Sequence, residues 1–152
     1  MLVIRLDDVR ERLARAETIA VLGAHNEPHR PACYVPAYLH RMGYRILPVN
    51  PSLAGTTLFG ETVVASLGEL VAPCDMVDIF RTASALPGHL GEILALGPDA
   101  KGHPRVIWLQ LGIVHRAFSD TLSKAGFDVV EDRCTYADHR LFDLPKKAPN
   151  AP

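Results

Sequence analysis

Three cysteines in 152 residues, with no CxxC pair, are too few and too odd in number for a disulfide framework. That scarcity points to a reducing, cytoplasmic setting. A basic excess is also missing: 16 Lys and Arg face 17 Asp and Glu, a net charge of −1. The balance excludes a strongly basic nucleic-acid surface, and no basic amphipathic helix suggests a membrane surface. No apolar run approaches the roughly 20 residues that span a bilayer. The opening stretch "MLVIRLDDVRERLARAE" carries charge from its fifth residue, unlike a secretory signal peptide. No GxxxxGK[ST] occurs, which excludes a P-loop.

What is present is apolar residues in short runs. They make up 48% of the chain, enough for one sizeable core. Val9, Leu13 and Ala16 share one face of a charged N-terminal helix over about 6–16. Continuous apolar strands follow at 18–23, 44–50, 75–80, 105–112 and 127–132. Segments of helical period lie between them at 34–42, 66–71, 84–96 and 114–125. Gly97 and Gly126 stand where helix C-caps belong. Fully apolar strands alternating with helices predict an α/β fold. The expectation is a Rossmann-like, doubly wound parallel sheet of about five strands with helices on both faces. One domain is expected over 1–142, and a polar, proline-rich disordered tail over 143–152.

Ligands of such sheets lie at the carboxyl ends of the strands. The stretch "IAVLGAHNEPHRPACYV" (19–35) runs from the first strand into the next helix. Its Gly23 lets the chain turn, the helix start offers free N–H groups, and Arg30 adds a charge suited to phosphate. The alternative is that Gly23 only ends a strand. A nicotinamide site is disfavoured, because "GAHNEPHR" lacks two glycines of GxGxxG. The second strand also ends in Asn50, where an acid would bind ribose.

Five patches in order extend this reading: "VLGAHNEPHRP" (21–31), "YLHRMGYRILPVNP" (38–51), "VDIFR" (77–81), "VIWLQLGI" (106–113) and "EDRC" (131–134). Together they resemble the small, stand-alone CoA-binding domain proteins. These are similar to the CoA-binding domain of succinyl-CoA synthetase and of ADP-forming acyl-CoA synthetases. The resemblance spans about residues 15–142 and implies a Rossmann-like fold that binds coenzyme A or an acyl-CoA. It implies that Gly23 and Ala24 lie beside the ligand phosphates, with Arg30 and Pro31 close by. Asn50 and Pro51 would border the adenosine; Phe80, Arg81, Gln110, Leu111, Gly112 and Cys134 would line the crevice. The chain departs from the family at His25, where Ser is usual, and at Ala32-Cys33, where Ser-Tyr is usual.

Individual residues admit rival readings. His25 either donates to phosphate in place of the serine or is a solvated loop histidine. His25, His29 and Cys33 have a metal-like spacing, but it spans a turn with two prolines, and no metal is expected. Arg81 either binds phosphate or pairs with Asp78 or Glu61. Asp75 and Asp78 point to opposite sheet faces and read as structural. Cys134 reads as a half-buried thiol near the ligand, Cys33 and Cys74 as packing, and Trp108 as core. His115 belongs at a helix start. Pro36 means that the second helix either starts late, near Val35, or kinks there.

No nucleophile, base and orienter assemble from these residues. The expectation is therefore a binding protein for a small CoA-type ligand, without catalytic residues. The alternatives are a nucleotide-dependent transferase or oxidoreductase using the same crevice, or a regulatory domain bound to a protein partner.

Overall fold

The computed structural model describes residues 1–148. Its elements run α1 (Leu6–Arg15), β1 (Thr18–Leu22), α2 (Pro31–Arg41), β2 (Arg45–Val49), β3 (Thr57–Leu58), β4 (Glu61–Thr62) and β5 (Met76–Ile79). Then come α3 (Leu90–Leu96), β6 (Asp99–Ala100), β7 (His103–Pro104), β8 (Val106–Leu109), α4 (Arg116–Lys124), β9 (Asp128–Val130) and α5 (Thr135–Leu141). Five strands form one parallel sheet in the order β2-β1-β5-β8-β9. The pairs β3–β4 and β6–β7 are small antiparallel hairpins.

Every residue of β1 is buried, because both faces of the sheet are covered. Ile19 and Val21 face a cluster with Val9 and Leu13 of α1 and Val35 and Leu39 of α2. Ala20 and Leu22 face the opposite side, against Ile93 of α3 and Phe118 and Leu122 of α4. Trp108 lies wholly inside the first cluster, and its indole N–H donates to the Arg133 carbonyl at 2.7 Å. Such a partner is what a buried indole requires.

The chain adds β2 on one side of β1 and then crosses to β5 on the other. Strand order therefore reverses between β1 and β5, and a crevice opens where their carboxyl ends part. The turn after Leu22 and the segment Phe80-Arg81 flank that opening.

Several expectations change. The helix expected over 66–71 is a 3-10 turn, Leu67–Glu69. The segment 84–96 is a 3-10 stretch, Ala83–His89, followed by α3, because Pro87 interrupts the α-helical ladder. Helix α5 lies where no helix was expected. Residues 143–148, expected in the disordered tail, follow the body: Leu144 is buried, and the Lys147 N–H donates to the Met42 carbonyl at 2.8 Å. The rest of that tail, 149–152, lies outside the described residues. Among the described residues no helix is long and apolar enough to cross a membrane.

Candidate functional site

The turn from β1 to α2 is built by Gly23. At φ +88° it occupies the left-handed region, and an added Cβ would lie 2.7 Å from the Phe80 carbonyl oxygen. Only glycine fits there without displacing β5. The Gly23 and Ala24 N–H groups both donate to the Val49 carbonyl, at 2.9 and 3.3 Å. Asn50 clips the same turn: its side-chain Nδ2 donates to the Ala24 carbonyl at 2.8 Å, and its Oδ1 accepts from the Ser52 N–H at 2.9 Å. Pro51 opens the 3-10 turn that follows. These residues shape the rim of the crevice from behind.

Pro36 does something the sequence alone does not reveal. Helix α2 begins at Pro31, with Arg30 as N-cap, and runs through Pro36 to Arg41, so it does not start late near Val35. Pro36 lacks the N–H that would bond the carbonyl four residues back, that of Ala32. That carbonyl instead accepts the His25 N–H at 3.1 Å. A helix-interior proline thus latches the β1–α2 turn onto its own helix. In Pro36→Ala a rival donor reaches the Ala32 carbonyl. Amide exchange at His25 is expected to quicken while α2 persists; an unchanged rate would mean that one carbonyl serves both donors.

This latch changes which groups face a ligand. The N–H groups of Gly23, Ala24 and His25 are all occupied by carbonyls. The helix start keeps fewer free donors than its sequence suggests, since Pro31 has none. Side chains carry the charge instead. His25 Nδ1 accepts the Glu27 N–H at 3.1 Å, which leaves Nε2 as the protonated, donating nitrogen of the neutral ring. Arg30 Nε donates to Glu27 Oε2 at 2.7 Å, and that guanidinium holds the Glu27 carboxyl below the usual carboxylate range. The His29 Nε2 lies 3.5 Å from the same oxygen. Arg81 pairs with neither Asp78 nor Glu61. Its Nε donates to His89 Nε2 at 3.3 Å, and its Cδ passes over the Gly23 turn. Glu61 is bound instead by Arg45.

A groove of about 900 Å³ opens at this point. Of the sequence-expected site residues it gathers Arg30, Pro31, Phe80, Arg81, Gln110, Leu111, Gly112 and Cys134. Gly23, Ala24, His25, Asn50 and Pro51 do not line it. Tyr34, Thr82 and Ile113 line it without having been expected. Tyr34 was the most legible of these, an exposed aromatic in the first turn of a helix.

Beneath the groove Asp78, Gln110 and Thr135 form a buried polar core. Gln110 Nε2 donates to Asp78 Oδ1 at 2.6 Å and to Thr135 Oγ1 at 2.9 Å, and Thr135 donates to Asp78 Oδ2 at 3.0 Å. Asp78 is fully buried, and desolvation raises its pKa to about 7 against the pull of those two hydrogen bonds. The amide nitrogen of Gln110 is therefore committed below the groove. Burial also pushes the Cys134 and Cys33 thiols up, away from the thiolate form. His115 caps α4, its Nδ1 accepting the Phe118 N–H at 3.1 Å. Among the described residues no three His, Cys, Asp or Glu side chains group closely enough to hold a metal ion.

Residues 17–140 match the family described as CoA binding domain. The uncharacterized protein YneT of Bacillus subtilis (strain 168) is 34% identical over 134 residues, 88% of this chain and 93% of YneT. Among solved structures, the chain is similar to cell-free ID.343 from Thermus thermophilus, with 50% identity and a TM-score of 0.84. That match covers 91% of this chain and 99% of the other. A hypothetical protein from Pyrococcus horikoshii OT3 shows 27% identity and a TM-score of 0.81, over 91% and 92% of the two chains.

Proposed function

Because the chain belongs to the CoA binding domain family, we propose that the groove at the β1–β5 switch binds coenzyme A or an acyl-CoA, as a binding site rather than a catalytic one. The observation that carries this reading is the convergence of two guanidiniums, Arg30 and Arg81, on one groove beside the latched turn. Both are exposed, and neither is tied to a buried carboxylate. They supply charge for the ligand phosphates in place of the two missing serine hydroxyls and the occupied backbone N–H groups. Tyr34, Phe80 and Leu111 give the groove apolar surface for the uncharged parts of the ligand. The binding unit in this reading is the single domain over 1–142, with residues 143–148 packed on it.

Raised thiol pKa values at Cys134 and Cys33 support binding without covalent chemistry. The absence of GxGxxG and of an acid at position 50 disfavours a nicotinamide in the same groove. Three free cysteines fit a reducing, cytoplasmic setting.

The test is calorimetric titration with CoA, using NAD and ATP as controls. CoA alone is expected to bind. Arg30→Ala with Arg81→Ala is expected to weaken binding by roughly 3–6 kcal/mol, the sum of two hydrogen bonds to charged groups. Because both side chains are exposed, the melting temperature should stay close to that of the wild type. Undiminished affinity in the double variant would remove this turn from the site.

A further inference from the structure

We propose that Glu27 is a built-in competitor for the phosphate position: its carboxylate holds Arg30 in the free protein, and an anionic ligand binds by displacing it. The inference rests on the reading of the groove as a CoA site and names what regulates its affinity.

The geometry is local and specific. Glu27 is pinned by its backbone on both sides. Its N–H donates to His25 Nδ1 at 3.1 Å, and its carbonyl accepts the Arg30 N–H at 3.0 Å. With the main chain fixed, the side chain presents one oxygen to two groups, 2.7 Å from Arg30 Nε and 3.5 Å from His29 Nε2. The Arg30 Nε–H is a donor that a phosphate oxygen would take at the same distance. Arg30 and His29 line the groove and Glu27 does not. The Arg30 guanidinium thus faces the ligand space, and the carboxylate holds it from behind.

Occupation matters because a guanidinium grips an oxyanion best through two parallel N–H bonds. With Nε held by Glu27, that edge of Arg30 is closed to a phosphate. The pair is also weak enough to yield. The Glu27, Arg30 and His29 side chains are 46%, 54% and 79% exposed, and exposed ion pairs add little in water. A phosphate brings more charge and three acceptor oxygens. Arg81, on the far side of the Gly23 turn, supplies a second cation that Glu27 does not reach. Displacement would therefore release Arg30 to join Arg81 around one anion.

The experiment is a double-mutant cycle on Glu27→Gln and Arg30→Ala, titrated with CoA and separately with inorganic pyrophosphate. Glutamine keeps the shape and removes the charge. Both probes are expected to bind Glu27→Gln roughly 1.5- to fivefold tighter than the wild type, as release of an exposed ion pair allows. The gain should vanish when Arg30 is already alanine. Equal affinity for wild type and Glu27→Gln would overturn the proposal and leave CoA binding standing. A gain that persists without Arg30 would also overturn it, because Glu27 would then act by its field alone. Pyrophosphate tightening that depends on Arg30, with CoA binding neither form, would uphold the competitor and remove the CoA reading. If neither probe binds any form, both fall.

Discussion

Gly23→Ala is expected to lower the melting temperature by on the order of 10 °C and to abolish CoA binding. Two separate effects act at this position. The φ of +88° strains any residue with a Cβ, which costs about 1–3 kcal/mol. The Cβ itself would stand 2.7 Å from the Phe80 carbonyl oxygen, a backbone atom that cannot rotate away. Forcing an atom into such a contact costs roughly 1–3 kcal/mol more. For a domain near 150 residues each kcal/mol shifts the melting temperature by about 2–4 °C.

Gly112→Ala separates the two effects. Gly112 has a similar φ of +85°, but a Cβ there would meet nothing within 4 Å. It should lose only the conformational part, on the order of 1 kcal/mol. Thermal melts of the two variants side by side decide the matter. If they melt together, the Phe80 contact carries no weight, and the close approach of β1 and β5 is not what requires glycine at 23. The functional consequence follows from the same contact. Relief requires Phe80 to move outward, and Phe80 and Arg81 both line the groove.

The sheet was legible because its strands are mostly apolar and bounded by glycine or turn residues. "TIAVL" is buried at every position and reads that way. Helix α5 was not legible, for a physical reason. Its buried positions are Thr135, Asp138 and His139, while its Leu141 is 65% exposed. Hydrophobic periodicity cannot find a helix whose inward face is polar. Asp138 is held by Arg133 through two bonds of 2.6 and 2.7 Å, and His139 Nδ1 meets the Tyr38 hydroxyl at 2.8 Å. Those partners come from outside α5.

The candidate site divides along the same line. Phe80, Arg81, Gln110, Leu111 and Gly112, which line the groove, were singled out through the resemblance of their patches to the CoA-binding domain family, which sets them at strand ends. The commitments of Asn50 to Ala24 and of Gln110 to Asp78 were not legible, because each needs a neighbour from another strand. The link from Pro36 through the Ala32 carbonyl to His25 is similar. It is an absence of a donor, and its effect emerges only once the turn lies against the helix. The Glu27–Arg30 pair, in contrast, spans three residues and was within reach of the sequence.

Asp78 should give the protein a stability that falls as pH rises from about 4 to about 7, relative to Asp78→Asn. The carboxyl is fully buried, and desolvation is the largest influence on it, raising the pKa from 3.8 to about 7. Among the described residues no cation pairs with it; its partners are the neutral Gln110 and Thr135. Below pH 4 the group is protonated whether the chain is folded or not, so it brings no penalty. Between the two pKa values the folded state holds the proton and the unfolded state has released it. Folding then takes up a proton, and stability falls with pH. Above about 7 the loss is complete, and the rise from 3.8 to about 7 corresponds to at most about 4 kcal/mol. Asparagine keeps the shape and can present an oxygen to Gln110 and an amide to Thr135, but it does not titrate. His139 complicates the raw curves. Its pKa is lowered, chiefly by burial and also by Lys147, so its contribution to stability grows as pH rises. Both proteins contain His139, and subtracting one denaturation series from the other removes it. The difference between wild type and variant should change by roughly 2–4 kcal/mol between pH 4 and 7.5. Parallel curves would mean that Asp78 is ionised in the folded protein, with Gln110 and Thr135 stabilising a buried charge. The Gln110 amide at the groove floor would then be fixed by an anion at neutral pH and below it.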